Sequence, residues 1–378
     1  MSQNNLEIVK VESRRDKNAF LKLPWIVYRD DPYWIPPLRL NQKELVGYKK
    51  HPFHDHADVQ TFLAKRDGKP VGRIAGIIDH AHNDYYKERR GMFGFFESID
   101  DQAVADGLFN AVRDWLLAKD IRLIRGPLNP AMNYECGLLI EGFDSSPQLM
   151  MTYNPPYYPK LIENYGFAKA QDLFAFVGQT TQLQTIDPKL LVIAEESMRR
   201  LRVKTRRLDT KRFKEELKSF LNVYNRALPG TWGFVPLTDA EADHMAGGLR
   251  FLIVPKLTTM AEVDGKVVGV TFGMLNYNPR IKKINGRLFP FGFLRLLWNR
   301  HEIKTMRLIS TNVVPEYQRW GVGLVLLYRL VPDCLEWGIK EAEFSWVLES
   351  NHLSRATLER GGAKRAKTYR IYDYEVPT

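Results

Sequence analysis

The stretch VVPEYQRWGVG, Val313 to Gly323, puts an amide, a guanidinium, an indole and two spaced glycines between two apolar runs. Ahead of it MRLISTNVV reads as a strand, and behind it VGLVLLYRLVPDCLEWGI reads as a helix, kinked at Pro332. A strand that turns through glycine into a helix N-terminus gathers unpaired backbone N–H groups, and the helix dipole adds about half a positive charge there. Gly321 and Gly323 lack a Cβ, so an anion of phosphate size can approach the backbone; Gln318 and Arg319 add side-chain donors. The chemistry expected here is the grip of a phosphorylated ligand.

A comparable junction in the first half reads FFESIDDQAVADG, Phe95 to Gly107. Asp100 and Asp101 occupy the first helical turn and the glycine pair is missing. Carboxylates complement the helix dipole themselves and repel a phosphate. This junction is expected to keep the architecture without the anion site.

The two junctions belong to an internal repeat. FLAKRDGKPVGRIAGIID (Phe62–Asp79) is echoed by TTMAEVDGKVVGVTFGMLN (Thr258–Asn276), each a strand, an Asp-Gly turn and a strand. LIENYGFAKAQDLFAFV (Leu161–Val177) is matched by TLERGGAKRAKTYRIYD (Thr357–Asp373), each a short helix stopped by glycine and followed by a strand. The offsets are 197 residues from Asp67 to Asp264 and 196 from Gly166 to Gly362. Two matches at nearly one offset indicate tandem duplication, with the boundary in GQTTQLQTIDPK, Gly178 to Lys189. Each half reads as an α/β unit with a mixed sheet.

The 378 residues suit two domains, and 44% hydrophobic with 26% charged residues is a globular composition. Two cysteines, Cys136 and Cys334, make neither a disulfide framework nor a zinc site, which points to a reducing, cytoplasmic setting. The N-terminus shows no signal peptide, and no run reaches the roughly 18–20 apolar residues of a membrane span. The net charge of +11 favours polyanionic partners: a polyphosphate cofactor, nucleic acid or an anionic membrane. No nucleic-acid motif accompanies it, and the basic run RRLRVKTRR reads as a solvated face, so no nucleic-acid partner is expected. His51, His54, His56, His80 and His82 complete no carboxylate–histidine pattern, so no metal is expected either.

In its strand–loop–helix setting, PEYQRWGVG resembles the pyrophosphate-binding Gln/Arg-x-x-Gly-x-Gly/Ala loop of the GCN5-related N-acetyltransferase (GNAT) superfamily. ESNHLSRATLERGGA, Glu349 to Ala363, resembles the distal segment of the same fold. The resemblance implies two tandem GNAT-like α/β domains, each a mixed, mostly antiparallel sheet flanked by helices. Residues 1–178 would carry a degenerate CoA loop and residues 179–378 the acyl-CoA loop. It further implies that Val313, Val314, Gln318, Arg319, Trp320, Gly321, Val322 and Gly323 line the co-substrate, with Asn351 at its arm. Such an enzyme lets an amine attack the thioester, so a group must accept the amine's proton and another must protonate the thiolate. The family's usual acid is a tyrosine after the asparagine; the matching position is Leu358, so that role is vacant or has moved.

Expectation therefore turns to the first half. Glu97 stands beside the degenerate junction, and Glu135, Tyr153 and Tyr157 lie in the long loop Gly126–Tyr158, completing the candidate catalytic set. Asn133, Asp144 and Asn154 of that loop are the candidate substrate-binding residues. Loops longer than about 12–15 residues without their own structure tend to be functional, although these residue types also cap strands and fill turns.

The second half carries an insertion, NPRIKKINGRLFPFGFLRLLWNRHEIK (Asn278–Lys304), that mixes cations with phenylalanine, leucine and tryptophan. That composition suits a peripheral segment at an anionic membrane surface or a packed interface. With DPYWIPPL (Asp31–Leu38), NPPYY and RLFPFG, the chain resembles the bacterial ceramide synthase group. This implies transfer of a long acyl group from acyl-CoA to a lipid amine, a sphingoid base. Three alternatives stay open: acetylation of a small-molecule or protein amine, Fem-like transfer from aminoacyl-tRNA, and CoA binding without turnover.

Overall fold

The computed structural model describes residues 5–185 and 188–377. Ile186 and Asp187, inside the expected boundary stretch, and the first four residues lie outside the described residues. In chain order the strands are β1 (Leu6–Lys10), β2 (Ala57–Arg66), β3 (Lys69–Asp79), β4 (Arg90–Ser98), β5 (Leu123–Gly126), β6 (Leu128–Asn129), β7 (Glu135–Cys136) and β8 (Leu138–Glu141). They continue with β9 (Ala168–Gln179), β10 (Lys204–Arg207), β11 (Thr258–Val263), β12 (Lys266–Leu275), β13 (Thr305–Val313), β14 (Glu341–Leu348) and β15 (Lys364–Glu375).

Two compact units form. One comprises Met1–Asp172, Asn278–Phe293 and Thr368–Thr378, the other Leu173–Tyr277 and Leu294–Lys367. In the first unit β1 to β5 pair in sequence order and the Thr368–Glu375 part of β15 follows β5, with β8 also on β15. Only β4 and β5 run parallel in this set. In the second unit the order is β10-β11-β12-β13-β14, closed by the Leu173–Gln179 part of β9; β13 and β14 are its parallel pair. The plans match, but the last strand of each sheet comes from the other half of the sequence.

The repeated Asp-Gly turns explain why both hairpins form. Asp67 and Gly68 take φ of 50° and 75°, and Asp264 and Gly265 take 49° and 75°. Two left-handed residues in a two-residue loop match the twist of the flanking strands, and Asp-Gly tolerates them at low cost.

Each unit packs one long helix on its sheet. The first, Gln102–Leu117, buries Val104, Leu108, Phe109, Val112 and Leu116 at helical spacing. Its counterpart, Val322–Trp337, buries Val322, Val325 and Leu326 against Met260, Val268 and Val270 of the sheet, and Ala194 of the helix Pro188–Leu201 joins that core. Each large apolar side chain so buried contributes about 1.5–3 kcal/mol. The helix continues through Pro332 and stops at Gly338, whose φ of 82° closes its C-terminus.

The insertion begins as a short helix, Asn278–Lys283, belonging to the first unit. Asn278 Nδ2 donates to the Pro147 carbonyl at 2.7 Å, and the Trp25 indole donates to Asn285. Among the described residues no helix is long and apolar enough to cross a membrane.

Candidate functional site

The glycine junction is built as a strand, one helical turn and a glycine pivot. After β13, Val314 N–H bonds the Val268 carbonyl at 2.9 Å, Pro315–Gln318 makes a single turn, and Gly321 pivots at φ 75° into the helix Val322–Trp337. Gly321 is required twice over. An added Cβ would lie 2.5 Å from Ser197 Oγ and 3.0 Å from Ile193 Cγ2, and the backbone is left-handed. Gly323 differs: a Cβ there would meet nothing within 4 Å, so it faces open space.

The Gly321 carbonyl accepts from Leu324 and Val325 at 2.9 and 3.1 Å, while among the described residues the amides of Gly321, Val322 and Gly323 donate no hydrogen bond. Among the described residues no side chain caps this N-terminus. Three free N–H groups, a helix dipole and open space at Gly323 fit an anionic group such as a pyrophosphate.

The side chains around the loop divide the work. Gln318 Nε2 donates to the carbonyls of Val313 (2.9 Å) and Ala227 (3.0 Å), which makes it a brace that fixes the turn. Arg319 is exposed, with its charge available to a ligand. Trp320 is 43% exposed and lies under the Arg200 guanidinium, 4.8 Å from the ring centroid. Asn351 caps the helix His352–Arg360, its Oδ1 accepting from Ser354 N–H at 3.1 Å. Leu358 packs with Phe344, Phe174, Phe176 and Val347, so an apolar cluster occupies the position expected of a tyrosine.

Upstream of the loop the two parallel strands part. β13 and β14 pair from Thr305↔Glu341 to Leu308↔Phe344 and no further. Along the unpaired reach, Ser310 Oγ, Asn312 Nδ2 and Trp346 Nε1 are buried without hydrogen-bond partners among the described residues, an arrangement that costs free energy unless a ligand or water meets them. At the last paired positions, Arg307 Nε donates to Ser345 Oγ at 2.9 Å and Ser345 Oγ donates to Glu343 Oε1 at 2.7 Å. Burial pushes the Glu343 carboxyl above its ordinary range, and the Ser345 hydrogen bond and the Arg307 charge offset only part of that. Sequence reasoning missed this group. Its signal is an acidic residue and a serine inside an otherwise apolar strand, AEFSWVLE.

The first unit shows what closing the same arrangement looks like. Asp101 Oδ1 accepts from the amides of Ala103 (2.9 Å) and Val104 (3.4 Å), and Arg66 pairs with its Oδ2 at 2.7 Å. The helix N-terminus is thus capped by a carboxylate whose acidity the Arg66 hydrogen bond increases. β4 and β5 also part, after Met92↔Arg125, but the gap is filled. Asn129 Oδ1 accepts from Phe95 N–H at 2.6 Å, and a Cβ on Gly94 would fall 1.7 Å from the Leu128 carbonyl oxygen.

Three of the four catalytic candidates converge in this unit. Glu97 is buried; Tyr28 and Tyr158 donate to its Oε2 at 2.7 and 2.8 Å, and Arg73 approaches Oε1 at 3.4 Å. Burial holds its pKa above the usual carboxylate value despite these partners. Tyr157 donates to the Ser98 carbonyl at 2.7 Å, and Tyr153 donates to Asp31 Oδ2 at 2.9 Å while its own carbonyl receives Tyr28. Burial raises the pKa of both phenols, so they stay protonated at neutral pH. Glu135 lies apart, opposite Asn129 in the β6–β7 pair. Of the substrate-binding candidates, Asn154 clasps Leu139 through both its amide atoms (2.7 and 3.1 Å), Asn133 precedes β7 and Asp144 sits on an exposed turn after β8. His56 and His82 pair with Asp79 (3.1 Å) and Glu88 (2.8 Å), and among the described residues no group of three or more potential ligands could hold a metal.

Comparison with known proteins agrees with this geometry. The acetyltransferase (GNAT) family model matches residues 217–362, a span that contains the glycine junction and the parted strands. The chain is 36% identical over 370 residues to protein YghO of Escherichia coli, covering 96% of this chain and 94% of that protein. It is 34% identical over 382 residues to the bacterial ceramide synthase of Caulobacter vibrioides, covering 98% and 97%. Among solved structures, a tandem GNAT protein from the clavulanic acid biosynthesis pathway superposes with a TM-score of 0.56 at 11% identity over 99% of both chains. A GCN5-related N-acetyltransferase from Sphaerobacter thermophilus gives 0.55 at 12%, covering 99% and 96%; at such identities these two show the fold alone. A tandem α/β fold, a glycine-turned helix N-terminus and full-length relatives agree: this chain belongs to the GNAT family of acyltransferases, which use acetyl- or acyl-CoA as co-substrate.

Proposed function

We propose that the protein is an N-acyltransferase that moves a long acyl chain from acyl-CoA to the primary amine of a lipid, a sphingoid base being the leading acceptor. The observation that carries the co-substrate half is the uncapped helix N-terminus at Gly321–Gly323, with three free amides and open space before them. The amides of Gly321, Val322 and Gly323, with Arg319, would hold the pyrophosphate, and Val313, Val314 and Trp320 would flank it. Asn351 would lie toward the co-substrate arm. The lipid half is supported by the ceramide synthase relative, aligned over nearly the whole of both chains.

In the reaction the amine nitrogen bonds to the thioester carbonyl carbon and the C–S bond breaks. The amine gives up a proton and the thiolate gains one. Glu343 is the proposed proton acceptor, acting through Ser345 Oγ, which already donates to it. Glu97, Glu135 and Tyr157 are tested as variants alongside.

The test is turnover of the purified protein with palmitoyl-CoA and sphinganine, against acetyl-CoA and a soluble polyamine, read as free thiol released and amide formed. Amide from the palmitoyl pair, at a kcat/KM at least tenfold above the acetyl pair, is the expected result. Preference for acetyl-CoA would replace the lipid reading with an ordinary acetyltransferase. CoA binding without thiol release from any pair would make the protein a binding module.

A further inference from the structure

The short helix Gly292–Leu297 and the residues beside it display an apolar ridge. Phe289, Phe291, Leu294 and Trp298 are 77%, 67%, 62% and 80% exposed, four large apolar side chains within ten residues. The helix is seated by Leu296, which is 1% exposed, and the Trp298 amide bonds the Leu294 carbonyl at 2.8 Å. Leu294 and Trp298 stand four apart, a spacing that brings them to one side of the helix end, and Phe289 and Phe291 lie exposed immediately before the helix. Isolated surface hydrophobes need no explanation, but a row of them does.

The charge around the ridge points to what covers it. Asn278–Lys304 holds seven Lys and Arg residues and one acidic residue, Glu302. Lys283, Arg287 and Arg295 are exposed and form no ion pair among the described residues. Arg295 is one residue from Leu294 and three from Trp298, so a cation flanks the apolar row directly. Here cations without a carboxylate partner among the described residues flank exposed apolar side chains, and the complement of that combination is an anionic surface with an apolar interior. We infer that Phe289–Trp298 docks the protein on an anionic lipid bilayer, the apolar ridge entering the headgroup region and Lys283, Arg287 and Arg295 meeting lipid phosphates. This docking stands on the segment alone and needs neither CoA nor turnover.

The experiment is co-sedimentation of the full chain, without CoA, with vesicles of phosphatidylcholine containing about one third phosphatidylglycerol and with pure phosphatidylcholine vesicles. Affinity for the anionic vesicles should exceed that for neutral ones at least tenfold. It should fall at least tenfold in the triple variant Phe291→Ser/Leu294→Ser/Trp298→Ser, and also in Arg287→Glu/Arg295→Glu, with unchanged far-UV circular dichroism. Gly323→Asp should bind vesicles as the parent does, which separates this inference from the co-substrate assignment. No binding, or equal binding to both vesicle types, would overturn it. So would a concentration-dependent dimer, seen by analytical ultracentrifugation, that the triple variant abolishes while vesicle binding is unaffected; that result would give the ridge to a second copy of the chain.

Discussion

At the scale of single residues, the two glycines of the junction carry different burdens, and substitution separates them. Gly323 faces open space, so Gly323→Asp should leave the thermal midpoint unchanged and weaken palmitoyl-CoA binding at least tenfold by placing a carboxylate at the proposed phosphate position; calorimetric titration measures it. Gly321→Ala should cost about 1–2 kcal/mol of stability as well, because the backbone is left-handed and Ser197 is in the way. Glu343 makes a second residue-scale prediction. Its pKa is raised and its ionised form is the proposed proton acceptor, so kcat/KM should climb with pH through a limb above the ordinary carboxylate range. Glu343→Gln should remove that limb and lower kcat roughly a hundredfold. The glycines are legible in the sequence because only a few backbone conformations need them. The Arg307–Ser345–Glu343 chain is not, because Arg307 and Glu343 become neighbours only through the register of β13 on β14.

At the scale of elements, the two long helices differ at their N-termini, one capped by a carboxylate and the other without a side-chain cap among the described residues. Asp101 does for the helix Gln102–Leu117 what a ligand would do for Val322–Trp337, satisfying the first amides with negative charge. Asp101→Ala should therefore destabilise the protein by about 1 kcal/mol, read as a lowered urea midpoint, without changing acyl-CoA binding. It should not create a second CoA site, since the gap between β4 and β5 is filled by Leu128 and Asn129. The acidic pair is visible in the sequence, but not its placing: Asp101 is the N-cap, ahead of the first turn where both carboxylates were expected, and it alone accepts from the helix amides. The filled gap is not visible, because nothing in GPLNP announces that its backbone turns back against β4.

For the molecule as a whole, several aspartates tie distant segments together and set the acid limit of stability. Burial opposes ionisation of Asp172 and Asp333, but bonds from Arg370 and Lys169 to the first, and from Arg207 and Arg329 to the second, outweigh it and lower both pKa values. A lowered folded-state pKa contributes stability above the ordinary carboxylate range and loses it as pH falls through the depressed value. The urea midpoint should hold near neutrality and drop below about pH 4. Asp333→Asn should cost about 1 kcal/mol at pH 7, a modest figure because Arg207 is partly exposed, and should soften the acid drop. The duplication behind this organisation is plain in the sequence, since its Asp-Gly turns and glycine stops recur at one offset. The destination of the last strand of each half is not, because either sheet offers the same antiparallel edge to the same pattern of alternating side chains.

That exchange of strands has a consequence for how the protein is made. Thr368–Glu375 leaves the ribosome after every other strand of the sheet it completes, so a nascent first unit carries β5 with an unfilled edge while some two hundred further residues are translated, on the order of ten seconds or more. An open edge is an invitation to foreign pairing. The N-terminal half closes its sheet only when the C-terminal strand arrives, and neither half carries every strand of its own sheet.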